Sequence, residues 1–140
     1  LWIGALERVT KAGIKNIDEP WIKKVHCNKG NYKWAINFTG MKNQDGLRCQ
    51  IRNVVFEPGD GTNRDWVAYT LKQIQAAFHW NRPAIISSHR VNFCGNINEQ
   101  NRTTGIQALK KLLNKIRQCW PDVEFLSSSE LGALIQNEGK

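Results

Sequence analysis

AIISSHRVNF, residues 84–93, is the stretch on which the reading of the fold turns. It follows Pro83, and its first five residues, AIISS, are apolar or small with no polar face. Such a strand belongs to a parallel sheet covered by helices on both sides. His89 and Arg90 then stand side by side where the strand ends, with Asn92 just behind. In parallel α/β proteins the loops at the carboxyl ends of the strands gather around the site, while residues at the other end mainly support stability. The stretch therefore predicts a buried strand and the rim at which it stops.

The flanking segments extend that pattern. CQIRNVVFE (49–57) is rich in β-branched residues and runs into Pro58-Gly59, so it reads as a strand leaving into a turn. Asp65 can cap a helix whose Val67, Leu71, Ile74 and Phe78 form one apolar stripe. After a polar loop from Gly95 to Gln100, Thr103 or Thr104 can cap a helix with Ile106, Leu109, Leu113, Ile116 and Trp120 inward, stopped by Pro121. VEFLS (123–127) reads as a further strand, and Ser128 or Ser129 caps a last helix carrying Leu131, Leu134 and Ile135. Towards the N-terminus, Leu1–Ala12 has helical spacing with Gly13 as its stop, and IKNI (14–17) reads as a short strand ended by Pro20. YKWAINF (32–38) alternates, with Tyr32, Trp34, Ile36 and Phe38 on one side, as a half-buried strand does.

Strand and helix alternate over the last ninety residues or so, which predicts α/β architecture with a mainly parallel sheet. About five strands are too few for a closed eight-stranded barrel of about 200 residues or more. Two forms remain: an open, mainly parallel sheet with flanking helices, or a partial (β/α) barrel. With 140 residues and no internal repeat or linker, residues 1–140 read as a single domain.

Composition narrows the function classes. Hydrophobic residues at 41% and charged residues at 23% fit a folded chain and argue against disorder. No apolar stretch reaches the roughly 18 residues of a membrane span, and no basic region followed by an apolar core marks a secretion signal. The chain begins at Leu1, directly in helical spacing, which suggests a piece cut from something longer. The net charge of +8 would draw polyanions, yet the basic residues are scattered and match no nucleic-acid motif. They read as a solvated helix face, with nucleic acid a disfavoured partner. Cys27, Cys49, Cys94 and Cys119 occur singly, without a CxxC pair, and read as mostly buried small side chains; pairing and compartment stay open. No HExxH or similar ligand pair occurs, so a complete metal site within the chain is not expected.

The rim then supplies the candidates. His89 can exchange a proton near neutral pH, Arg90 or Arg52 can hold a carboxylate or a developing negative charge, and Glu57 brings a carboxylate. Asn92 can bond to substrate hydroxyls, and Trp34 can face a sugar ring. Trp66, Trp80 and Trp120 read as core, and His79 as a favourable charge at a helix end. The blander alternative for His89 is a loop histidine whose ring nitrogens are satisfied by backbone.

Taken together, RNVVFEP (52–58), DWVAYTLKQIQAAFHWNRPAIISSHRVNF (65–93), NRTTGIQALKKLLNKI (101–116) and PDVEFLSSSELGALI (121–135) resemble the C-terminal half of polysaccharide deacetylase-like proteins. The resemblance covers residues 49–137 well and 1–48 loosely. It implies a distorted (β/α) barrel, of which this chain is the C-terminal portion, and removal of acetyl groups from a polysaccharide or glycan. It places His89 as the general acid that protonates the leaving group and helps stabilise the tetrahedral intermediate. Arg52 corresponds to the family's upstream arginine motif, although RNVVFEP departs from the arginine-any-proline pattern. The family's aspartate pair and paired histidines, which bind a divalent, zinc-like metal and supply the base, have no match here and would lie upstream of Leu1. The resemblance also implies an extracellular or periplasmic setting and no activity for the 140-residue piece alone. Two other readings are a glycosidase on a related barrel, using Glu57 with an upstream carboxylate, and a non-catalytic carbohydrate-binding domain.

Overall fold

In a computed structural model, the described residues are 8–27, 30–43, 45–96 and 99–137. Residues 8–11 are helical and end at Gly13, whose positive φ of 83° is the left-handed stop the sequence predicts. The remainder of that predicted helix, residues 1–7, lies outside the described residues. The elements that follow are β1 (Asn16–Asp18), β2 (Ile22–His26), β3 (Tyr32–Ile36), β4 (Arg48–Gln50), β5 (Val54–Val55), α1 (Trp66–His79), β6 (Ile86–Ser87), a 3-10 helix (Arg90–Phe93), α2 (Glu99–Cys119) and α3 (Ser128–Asn137). The chain is mixed α/β, with short parallel pairs and no closed barrel among the described residues. It divides into two compact units, one of Leu1–Arg52 with Leu126–Lys140 and one of Asn53–Phe125.

In the second unit, β5 and β6 pair in parallel across the α1 connection, Val54 opposite Ile86 and Val55 opposite Ser87. The Asn53 side chain lengthens this short ladder, donating to the Pro83 carbonyl and accepting from the Ile85 amide at 3.0 and 2.8 Å. The other edge of β5 is closed by α1: Thr70 donates to the Val55 carbonyl and Gln73 accepts from the Val55 amide. Asp65 caps α1 by accepting from the Ala68 amide at 3.0 Å, as predicted. Val67 and Ile74 pack with Val54, Phe56, Trp66, Leu112 and Ile116 into one core, on which Leu71 and Phe78 rest.

Several expectations change once partners are known. The predicted strand 49–57 is two, because Ile51 donates its amide to the Thr39 hydroxyl and drops out of the ladder. AIISS narrows to Ile86–Ser87 and is not buried on both faces, since Ile86 is 39% exposed and β5 is its one partner among the described residues. VEFLS forms no strand; Phe125 and Leu126 are exposed, and no neighbour pairs with them among the described residues. Thr103 and Thr104 lie inside α2, where the Thr103 hydroxyl donates back to the Glu99 carbonyl. On α2, Leu112 rather than Leu113 is buried, together with Ile116 as predicted. Trp80 is exposed instead of core, and of the cysteines Cys49 alone is fully buried while Cys94 and Cys119 are exposed.

In the first unit, β1 pairs in parallel with β4, and β2 with β3 as an antiparallel hairpin. The IKNI strand thus starts two residues later than predicted and ends one later, and β2 is an element the sequence did not announce. Leu47, Cys49, Ile51 and the amides of Asn37 and Gln50 are buried; Gln50 donates to the Ser128 carbonyl and Asn37 to that of Pro20. Ser127, not Ser128 or Ser129, opens α3: its amide donates to the Glu130 carboxylate and its hydroxyl accepts from the Glu130 amide. No described helix is long and apolar enough to cross a membrane.

Candidate active site

Parallel register builds the rim of the second unit. With Val55 opposite Ser87, continuing both strands by two residues brings Glu57 opposite His89. The ladder ends with the Phe56 amide on the Ser87 carbonyl at 2.9 Å. One step on, the Glu57 side chain takes over: Oε1 accepts from the His89 amide at 3.2 Å and lies 2.8 Å from His89 Nδ1. The second oxygen, Oε2, accepts from Asn92 Nδ2 at 2.6 Å.

Asn92 holds the carboxylate in place. It is only 2% exposed, and its Nδ2 also faces the His89 carbonyl at 2.8 Å and Ser88 Oγ at 3.3 Å. Its Oδ1 accepts from the Gly59 amide at 2.9 Å, which ties the β5–α1 turn to the 3-10 helix. Behind it, Gly105 of α2 lies against the Asn92 carbonyl oxygen, where any Cβ would overlap that atom. The glycine is there because backbone meets backbone.

The electrostatics follow from these donors. Partial burial pushes the Glu57 carboxyl upward, but hydrogen bonds from Asn92 and His89 outweigh it and hold the group below its ordinary range. An ionised carboxylate only accepts, so His89 Nδ1 carries the proton that faces it. Nε2 is left to the outside, on a side chain that is 79% exposed. This is a histidine oriented by a carboxylate, with Nε2 open to solvent.

The depressed Glu57 carboxyl makes stability depend on pH with a definite sign. A carboxyl lowered in the folded state adds stability that is present above its unfolded value, about 4.3, and is lost as pH falls through the folded value. Melting curves followed by circular dichroism should drop from pH 5 towards pH 3, and Glu57→Gln should lower stability at pH 7 while flattening that drop. Identical pH profiles for both proteins would remove the assignment.

Of the other sequence candidates, Arg90 and Asn92 belong to the second unit, and Arg52 and Trp34 to the first. Arg90 is exposed at the start of the 3-10 helix and bonds to neither Glu57 nor Asn92. Arg52 belongs to the first unit, where it pairs with Asp18 at 2.5 Å. Trp34, on β3 of the same unit, is 67% exposed and carries the Lys24 ammonium 5.0 Å from its ring centroid. Asn92, expected to reach substrate hydroxyls, is instead committed to Glu57 and Gly59. Sequence reasoning missed Ser88, Gly59 and Gly105 as supports. The Pro58-Gly59 turn carried a local signal, whereas Gly105 in a helix gave none.

The divalent metal that the resemblance implies does not fit these residues. Glu57 and His89 form a pair, and among the described residues no three His, Cys, Asp or Glu side chains converge to hold an ion. No family model matches the chain, and no curated protein or solved structure matches it either.

Proposed function

We propose that the chain is the C-terminal part of a carbohydrate-active hydrolase, most like the metal-dependent polysaccharide deacetylases, built on a partial (β/α) barrel. The observation that carries this reading is the Glu57–His89 contact of 2.8 Å at the carboxyl ends of two parallel strands. Proton transfer at an acyl centre requires a histidine held in one tautomer, with its second nitrogen free to meet substrate. Glu57 fixes Nδ1–H and leaves Nε2 outward, so a proton carried on Nε2 can pass to the leaving oxygen or nitrogen as its bond to the acyl carbon breaks. Asn92 acts through Glu57 as a positioning residue. No step is assigned to the metal, whose ligands this proposal places upstream of Leu1.

A glycosidase would need Glu57 as a free acid, base or nucleophile. Donors already occupy both of its oxygens, which favours the acyl-transfer reading.

The test is acetate release from an acetylated glycan by the protein expressed with the coding sequence preceding Leu1. His89→Ala should lower kcat by about 10²–10⁴ while the circular dichroism spectrum stays unchanged. Residues 1–140 alone should release nothing. An unaltered rate in the variant sinks the assignment of His89, and turnover by the 140-residue chain sinks the need for upstream residues.

A further inference from the structure

In the first unit β4 opens at Arg48, which pairs with Asn16 of β1 on one side and with Lys42 through an antiparallel bridge on the other. Lys42 and Arg48 are thus directly opposed, a placement of like charges that weakens a sheet. Lys15, whose carbonyl accepts the Arg48 amide at 2.9 Å, adds a third cation. All three line one cleft of about 720 Å³, together with Ile14, Leu47 and, at the end of α3, Asn137. The cleft is of the size that holds small molecules, roughly 300–1,000 Å³.

The charge of this cleft is not balanced from within. No carboxylate lines it among the described residues, and neither Lys15 nor Lys42 has an acidic partner there. Arg48 donates from Nη1 to the Gly40 carbonyl at 3.3 Å, a bond that holds the guanidinium without neutralising it. The helical segment that closes at Gly13, and α3, which closes at Asn137, both end at the cleft. A helix carboxyl end carries about half a negative charge, so the two ends together offset about one of the three cations. About two positive charges remain, in a cleft whose walls concentrate their field.

We infer that this cleft binds a phosphate monoester of a small organic molecule. Such a group carries close to two negative charges at neutral pH and three acceptor oxygens, which matches the excess charge and gives each cation an oxygen. A carboxylate brings one charge and two oxygens, and so leaves a cation unmet. The organic part rests on Ile14, which is about half exposed at the cleft wall. Bound phosphate also removes the repulsion between Lys42 and Arg48, a pairing that the sheet alone gives no reason to keep. The site uses none of the residues of the Glu57–His89 pair, so it stands or falls separately from the hydrolase reading.

Isothermal titration calorimetry of residues 1–140 at constant ionic strength tests it, with phenyl phosphate, benzoate and oligothymidylate as titrants. Phenyl phosphate should bind one to one, and benzoate about tenfold more weakly or worse. Lys15→Gln and Lys42→Gln should each weaken phenyl phosphate binding about tenfold, while Lys115→Gln on the exposed side of α2 should leave it unchanged. Without ligand, Lys42→Gln should melt no lower than the parent, because it removes a contact between like charges. A lower melting temperature would mean that Lys42 serves the fold and not a ligand, which overturns the inference. So does the absence of heat with phenyl phosphate, equal affinity for benzoate, or unchanged binding in both cleft variants. An equal loss in Lys115→Gln would show that the net charge of +8 attracts the anion without a site. Oligothymidylate that binds more tightly than phenyl phosphate, and is lost in the same two variants, would make the cleft a nucleic-acid backbone site instead.

Discussion

Replacing Gly105 by alanine should destabilise the protein by about 3 kcal/mol, the upper part of the range for forced overpacking. The sign is the informative part. A glycine inside a helix normally costs about 1 kcal/mol relative to alanine, so propensity alone predicts stabilisation. Here the added methyl group would overlap the Asn92 carbonyl oxygen, a backbone atom held by the 3-10 helix that cannot swing aside as a side chain would. The strain falls on the turn that carries Asn92, and through it on the Glu57–His89 pair. Urea unfolding measures the effect, with Lys110→Ala on the exposed face of α2 as a control expected to change little. If Gly105→Ala raises the midpoint instead, the close approach of α2 to the 3-10 helix is wrong.

Asn92→Asp should cost a similar amount at pH 7, again about 3 kcal/mol, although it changes one amide nitrogen to oxygen. The amide donor 2.6 Å from Glu57 Oε2 becomes a second carboxylate in a buried position. Two such groups cannot both ionise there, so they share a proton and one carboxyl is raised well above its unfolded value. A raised carboxyl favours folding at low pH, so the loss is greatest at neutral pH and shrinks as pH falls towards 5. Melting temperatures at pH 7 and pH 5 check this. An equal loss at both would mean that the missing donor, rather than the new charge, is responsible.

Both predictions concern groups whose neighbours are remote in sequence, and the same distinction separates what could be read early from what could not. His89 and Glu57 were visible as candidates because each closes an extended apolar run, one before Arg90 and the other before Pro58-Gly59. That they touch follows from the parallel register of β5 and β6, which pairs residues 32 positions apart. Asn92 looked like a substrate contact because an amide near a rim can serve one. Its burial under α2 turned it inward to Glu57 and Gly59.

Alternation misled at Tyr32–Ile36 for a related reason. Period two shows that a strand has two faces without saying which is covered. The aromatic side is the open one: Tyr32, Trp34 and Ile36 are exposed, while Ala35 on the other side is partly buried.

What the sequence determined by itself is local. The start of α1 at Asp65, its inward Val67 and Ile74, and the stop at Gly13 need only residues within a turn or two, where capping and periodicity act. The tertiary structure decided which extended runs became strands, with 49–57 divided and 123–127 left unpaired. It also decided that Ser127 rather than its neighbours opens α3, and that the Glu57, His89 and Asn92 side chains form one cluster. A strand exists only through the hydrogen bonds of a partner, and a buried polar group only through the donors and acceptors that meet it. In this chain those partners lie up to tens of residues away.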